Sequence, residues 1–253
     1  MRILLVRLDG VGDAAVCVPL IAALRAAGHE VGAAMSSRNA GLFASSALVA
    51  EHVLERIPWP AHGSTPESTA RAKAQIASMW YDAALVASEE PEAFALAARI
   101  PQRVGFTTGF ARPLKTLWVR ARTTRTVSRS QRIGGEPAHE VEVMYRLGEG
   151  FVREPRPPED RAALRPVLLD APVAPQLGSV VVQAGTKWFA SGVSREAVRR
   201  LHERLAPRAR VVCAPAEAGA VLEATGIEPE TPRSMRAWVE TLASAETVVT
   251  VDT

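Results

Sequence analysis

The sequence predicts an α/β protein made of two successive Rossmann-like units with parallel sheets. Three observations predict it. Aliphatic runs of strand length alternate with segments of helical period along most of the chain. A proline-rich stretch interrupts that alternation past the middle, and it then starts again. Each half opens on a buried-type strand, a glycine turn and a helix.

Residues 2–8 (RILLVRL) are an almost unbroken aliphatic run, which suits a strand buried on both faces of a parallel sheet. The turn Asp9-Gly10-Val11-Gly12-Asp13 follows. A helical pattern then puts Val16, Leu20, Leu24 and Ala27 on one face and stops at Gly28. Pro19 lies inside that helix and is expected to bend it. Residues 30–36 (EVGAAMS) complete a βαβ unit with a right-handed crossover. Next come a helix over 39–46, a strand over 51–57, and a helix from Ser64-Thr65-Pro66-Glu67 to Trp80. A strand over 81–88, a helix over 89–100 and a short strand over 103–106 continue the pattern. Residues 107–138 have no clear period. His139 opens a helix that runs to Gly150.

Residues 152–178 are proline-rich, as an interdomain connection would be. The predicted organisation is a first domain over 1–155, a linker over 156–178 and a second domain over 179–253. The second domain has strands at 179–185, 210–215 and 247–252. Its helices fall at 194–206, opened by Ser194, at 216–225, and at 235–245, opened by Ser234. A sheet that stops on an unprotected strand is an aggregation hazard. The second domain is therefore expected to be incomplete, and the 253-residue chain inactive or poorly folded alone.

Apolar residues make up 47% of the chain and charged residues 23%, with a net charge of +3. That balance excludes a disordered chain and a nucleic-acid-coating one. Cys17 and Cys213 are far apart and read as small buried hydrophobes. No apolar run reaches the ~18 residues of a membrane span, and the N-terminus is not a signal peptide. A cytoplasmic protein is expected, at most peripheral on the inner face of the cell membrane.

Gly10-Val11-Gly12-Asp13-Ala14-Ala15 satisfies the loose G-x-G-x-x-G/A pattern of dinucleotide-binding turns. With Arg38 after the second strand, this is the case for an NADP-dependent oxidoreductase. Asp13 argues against it, because a carboxylate there would repel a pyrophosphate. Asp13 is either a helix cap or a base that accepts a proton from a substrate hydroxyl. Asp9 reads as a turn residue. In the second turn, Gln183-Ala184-Gly185-Thr186-Lys187-Trp188, backbone amides and the Thr186 hydroxyl can hold phosphate oxygens, and Lys187 can add charge. Residues 107–135 carry Arg112, Lys115, Arg120, Arg122, Arg125, Arg129 and Arg132 and no acidic residue. Such a segment can grip a phosphorylated acceptor or an anionic membrane surface. No nucleic-acid reader motif accompanies it. No second histidine stands at metal-ligand spacing from His139.

Taken together these pieces resemble glycosyltransferase family 9, the family of the ADP-heptose:lipopolysaccharide heptosyltransferases. The likeness rests on RILLVRLDGVGDAAVCVPLIAALR, ARIPQRVGF, HEVEVMYRL, VVVQAGTKW, CAPAE and VVTVDT, in that order along nearly the whole chain. It implies a GT-B fold, two Rossmann-like domains facing across a cleft, the first for the acceptor and the second for the nucleotide-sugar. It implies inverting, metal-independent transfer with no cofactor, the nucleotide-sugar being an ADP-linked substrate and the acceptor a lipopolysaccharide-type or other envelope glycan. Asp13 matches the general base, beside Gly10 and Gly12 on the acceptor side. Gly185 and Thr186 match donor-phosphate contacts, Glu217 an acidic residue near the donor nucleoside or sugar, and Asp252-Thr253 the start of the D-[ST]-G-x-x-H segment. The family's S-K-x-W-P pattern is replaced by Trp188-Phe189-Ala190-Ser191-Gly192-Val193-Ser194, so Lys187 is the nearest cation. A non-catalytic remnant of the family is the remaining alternative.

Overall fold

The structure, a computed structural model, describes residues 1–37, 39–44, 53, 55–59, 65–129, 132–133, 136–154, 158, 168–169 and 171–250. The chain divides into two compact units, Met1–Leu168 and Leu169–Thr253.

In the first unit six strands form one parallel sheet. They are β1 (Arg2–Arg7), β2 (Glu30–Ser36), β3 (Glu55–Trp59), β4 (Ala83–Val86), β5 (Gln102–Thr107) and β6 (Arg125–Ser128), in the order β3-β2-β1-β4-β5-β6. β1 is central, with Val6 opposite Ala34 on one side and Val86 on the other. Ile3, Leu4, Leu5 and Val6 are wholly buried. A two-faced aliphatic strand requires that position, because an edge would leave one of its sides in water. The strand order reverses between β1 and β4. In open α/β sheets the crevice at such a reversal, beyond the carboxyl ends of the strands, is where ligands bind.

The helices of this unit are α1 (Val11–Ala15), α2 (Val18–Ala26), α3 (Ala40–Ala44), α4 (Pro66–Ser78), α5 (Pro91–Ala97), α6 (Pro113–Arg120) and α7 (Glu140–Arg146). One core packs Leu4, Val6, Ala84 and Val86 of the sheet against Ile76 of α4, Phe94 and Leu96 of α5, and Val119 of α6. Gly32 in β2 makes room for Tyr81, whose hydroxyl would overlap a Cβ at that position. The termini follow local rules. Pro66 starts α4 with Thr65 as its cap, Thr65 Oγ1 accepting the Ser68 N–H at 3.2 Å. His139 caps α7, its Nδ1 accepting the Val141 N–H at 3.3 Å while Glu142 accepts the His139 N–H at 2.6 Å.

Two expectations are corrected. The helix after the first turn is not one bent helix. It is two, α1 and α2, separated at Val16 and Cys17, and Pro19 sits in the first turn of α2. Proline has no N–H for the carbonyl four residues back, and its ring crowds that carbonyl, so a helix start suits it better than an interior. The second correction concerns 107–138. This segment holds a 3-10 turn at Gly109–Ala111, α6, the sixth strand of the sheet, and a short antiparallel pair, β7 (Arg132–Ile133) and β8 (Glu136–Pro137). Its helix was hidden because the outward side of α6 is apolar.

The second unit is a three-stranded parallel sheet, β9 (Gln176–Gln183), β10 (Ala209–Val212) and β11 (Ala245–Val249), in the order β10-β9-β11. Its helices are α8 (Thr186–Ala190), α9 (Arg195–Leu205), α10 (Ala218–Thr225) and α11 (Met235–Ala243). One face packs Val182, Trp188, Val198, Val211, Cys213 and Val221, and the other packs Val181 and Val212 with Trp238 and Leu242 of α11. Ser194 and Ser234 cap α9 and α11 as expected, each hydroxyl accepting an N–H at 3.1 Å. Here too the strand order reverses beside the first strand of the unit, between β9 and β11.

Candidate active site

The turn after β1 is organised by Arg7. An arginine at the end of an aliphatic strand is buried with the strand, and only 2% of its side chain is exposed. A buried guanidinium is tolerated only with anionic partners and hydrogen bonds. Its Nη2 meets Asp13 Oδ1 at 2.6 Å and Asp9 Oδ2 at 3.0 Å. Its Nη1 donates to the Ala87 carbonyl at 2.6 Å. Burial alone would lower the Arg7 pKa, but the surrounding anionic groups raise it. Cys17 is one of its neighbours, yet burial pushes that thiol up to about 12. The thiol is thus uncharged at neutral pH, and the two carboxylates are the operative partners.

Asp13 is held at both oxygens. Oδ1 takes Arg7, and Oδ2 accepts the Gly10 N–H at 3.0 Å. The cap and the candidate base are therefore one residue. The side chain keeps 43% of its surface exposed, against 22% for Asp9. A Cβ at Gly10 would come within 3.2 Å of Asp13 Oδ2, whereas the space beside Gly12 is open. The backbone amide a pyrophosphate would use is thus occupied by a carboxylate belonging to the same turn.

Asp9 is more than a turn residue, because it joins the two strands at the switch point. It accepts the Ser88 hydroxyl at 2.9 Å, and Ser88 accepts the Leu8 N–H at 2.6 Å. Asn39 ties down the same turn, donating to the carbonyls of Arg7 at 2.9 Å and Asp9 at 3.2 Å. Burial pushes the Glu90 carboxyl above its usual range. A hydrogen bond to Asp9 and the Asp9 charge add to this, while the backbone at Glu90 and Arg7 oppose it.

The predicted basic residues separate into two groups. Lys115 binds Glu89, and Arg129 bridges Glu89 at 3.5 Å and Glu140 at 2.6 Å. Burial would raise the Glu89 carboxyl, but Lys115, Arg129 and the nearby Arg112 charge bring it below its usual range. Arg112, Lys115 and Arg129 thus gather beside the switch point. Arg120 lies at the other end of α6, about 12 Å long at 1.5 Å per residue, and Arg122 stacks on Trp118 at 4.0 Å. In this segment without acidic residues, Lys115 and Arg129 are paired by carboxylates from β4's turn and from α7.

In the second unit, Gly185 and Thr186 follow β9 and open α8. The Thr186 N–H and hydroxyl both donate to Glu217 Oε1, at 3.0 and 2.6 Å. Gly185 is extended, so its need is spatial. A Cβ there would stand 2.9 Å from Glu217 Oε2. Glu217 comes from the 3-10 turn Pro215–Glu217 after β10. Two separately predicted donor residues are therefore hydrogen-bonded partners. Lys187 is exposed, and Trp188 is core. Asp252 and Thr253 lie outside the described residues, as does Arg38. The strand leading to Asp252 ends beside Val182, and the Thr250 hydroxyl bonds Gln183 at 2.5 Å.

Sequence reasoning missed Arg7, Ser88, Glu89 and Glu90. The signal for Arg7 was present, since a cation inside RILLVRL must find buried anions. Ser88 to Glu90 gave none, because strand pairing alone brings β4's end to the first turn. Among the described residues no group of three or more His, Cys, Asp or Glu side chains is arranged to hold a metal ion. No helix of the described residues is long and apolar enough to cross a membrane.

No protein-family model matches the sequence, and no curated protein matches it. Solved structures do. The E. coli heptosyltransferase WaaC, determined with ADP-2-deoxy-2-fluoro heptose and also with ADP, matches with a TM-score of 0.71 and 22% identity, over 100% of this chain and 83% and 82% of WaaC respectively. E. coli ADP-heptose lipopolysaccharide heptosyltransferase II matches with a TM-score of 0.68 and 16% identity, over 100% of this chain and 80% of its own. A glycosyltransferase family 9 protein from Veillonella parvula matches with a TM-score of 0.62 and 13% identity, over 98% and 75%. At these identities the likeness is one of fold: this chain has the GT-B α/β fold of the family 9 heptosyltransferases.

Proposed function

We propose that this protein is an inverting, metal-independent glycosyltransferase that moves a heptose-like sugar from an ADP-linked donor to a lipopolysaccharide-type or other envelope glycan acceptor. The observation that carries the reading is Asp13, fixed at the β1/β4 switch point by a buried guanidinium, with part of its surface open to solvent. In the reaction the acceptor hydroxyl oxygen bonds to the sugar C1 and the bond from C1 to the diphosphate oxygen breaks. The hydroxyl proton passes to Asp13, and the nucleoside diphosphate leaves.

Arg7 orients that carboxylate, and Asp9 makes proton uptake tolerable. With one anionic partner, protonation of Asp13 would strand a buried cation at a cost of about 3–5 kcal/mol. With Asp9 3.0 Å away, Arg7 stays compensated. On the donor side the Thr186 N–H and hydroxyl are the phosphate ligands. Both donate to Glu217 in this structure, and a diphosphate would take its place, turning Glu217 toward the donor sugar or nucleoside. Backbone amides and a hydroxyl aimed at the leaving group supply the electrostatic stabilisation such a displacement needs.

A thermal-shift panel tests the reading. ADP is expected to raise the melting temperature and NADP to leave it unchanged. Stabilisation by NADP and not by ADP would overturn it in favour of an oxidoreductase. Turnover of ADP-heptose with a deacylated lipopolysaccharide-core acceptor tests the substrate assignment directly.

A further inference from the structure

We propose that the surface formed by the 3-10 turn Gly109–Ala111 and α6 docks the protein on an anionic phospholipid bilayer, with Phe110, Leu114 and Leu117 entering the acyl boundary. The three side chains are 100%, 82% and 62% exposed. Leu114, Leu117 and the exposed Ala121 recur at helical spacing and share one side of the helix. The opposite side puts Thr116 and Val119 into the protein. A soluble surface helix turns its large apolar residues inward; α6 does so with Val119 and Trp118 but leaves Leu114 and Leu117 in solvent. Single exposed apolar residues are ordinary, but two on one side of a helix, with a fully exposed Phe110 in the turn that leads into it and is tied to it by the Thr116 hydroxyl on the Gly109 carbonyl, mark an interaction surface.

Charge decides the occupant. From Thr107 to Arg129 there is no acidic residue. The carboxylates that reach this segment, Glu89 and Glu140, engage Lys115 and Arg129. Arg112 and Arg120, exposed at the two ends of α6, have no ion-pair partner among the described residues. Trp118 lies half-buried on Phe94, with ring centroids 4.9 Å apart, and Arg122 covers its ring. An apolar strip framed by guanidinium groups and a tryptophan matches acyl chains beneath anionic headgroups. A soluble anion would satisfy the arginines and leave Phe110 in water. The inference does not depend on glycosyl transfer, since none of the switch-point chemistry enters it.

Co-sedimentation of the 253-residue chain with phosphatidylglycerol vesicles and with phosphatidylcholine vesicles tests it. Partitioning onto phosphatidylglycerol is expected to exceed that onto phosphatidylcholine by about tenfold or more. Replacing Phe110, Leu114 and Leu117 together by Ser is expected to reduce it by about tenfold. Arg112→Gln with Arg120→Gln should reduce it comparably and flatten its salt dependence. Thermal melts establish that each variant is as folded as the parent. No binding, equal binding to both lipids, or full binding by the triple serine variant would overturn the proposal. So would a dimer in sedimentation velocity that the triple variant dissolves, because a second copy would then be the occupant.

Discussion

The two units present the same device, a parallel strand running through a glycine turn into a short helix, and each fills it with a carboxylate. The fillings differ. After β1 the carboxylate is Asp13, from the turn's own helix, and it is clamped by an arginine with 2% of its side chain exposed. After β9 it is Glu217, borrowed from the turn after β10, and it is held by the N–H and hydroxyl of Thr186 in an exposed setting. Asp13 shares its buried cation with Asp9, and moving it away would leave that cation with a single anionic partner. Hydrogen bonds at the surface exchange for water at a net cost of about 1 kcal/mol each. The carboxylate of the first turn is therefore the harder of the two to displace. A firmly held carboxylate suits a base, and a more readily displaced one suits a turn that must admit phosphate. The glycine pattern shared by the two turns does not reveal this difference.

The largest effect should come from removing the fixed charge while keeping its shape. Asp13→Asn is expected to lower kcat by about 10²–10⁴-fold, the range for a lost general base. ADP binding, measured by calorimetry, should stay within a factor of about two. Full activity in Asp13→Asn would leave the first turn no chemical role. Next is the clamp. Arg7→Met strands Asp9 and Asp13 against each other and should destabilise the protein by about 3–5 kcal/mol in urea titration. A change below about 0.5 kcal/mol would mean that the pair is not set by Arg7.

The second turn should respond more gently. Thr186→Ala removes one donor and is expected to weaken ADP binding about tenfold, equivalent to about 1.4 kcal/mol, with little change in melting temperature. If ADP affinity were unaffected, the second turn would not be the phosphate site.

The smallest effect concerns Glu90, whose folded-state carboxyl is pushed up mainly by burial and by Asp9. A raised carboxyl stabilises the fold below its unfolded value, about 4.3, and that stabilisation is lost as pH rises through the folded value. At pH 7.5 the folded state thus carries the cost of an ionised Glu90. Glu90→Gln should raise the melting temperature there by about 1–2 °C and leave it unchanged at pH 4. The gain is small because Glu90 is only partly withdrawn from water. A larger gain at pH 4 than at pH 7.5 would reverse the assignment.

The alternation of elements was legible because its causes are local. A two-faced aliphatic run, a proline in a first turn, and Ser194 or Ser234 before a helix act within a few residues of themselves. The α/β class, two Rossmann-like units and the singling out of Asp13, Thr186 and Glu217 followed from the residues and from their likeness to one family. The segment 107–138 was not legible. Its helix presents apolar side chains to solvent and its strand, β6, is short, so periodicity had no one-sided pattern to follow.

What the sequence by itself determined was the alternation of strands and helices outside 107–138, the two glycine turns, the carboxylate of the first turn and, through its likeness to one family, the singling out of Glu217. Only the tertiary structure decided which groups those carboxylates meet. Arg7 reaches Ala87 and Asp9 reaches Ser88 across about eighty residues of chain, because β1 and β4 lie side by side. Glu217 reaches Thr186 because β10 lies beside β9. The energy of a charge depends on its nearest partners and on the water excluded around it, and sheet pairing sets both.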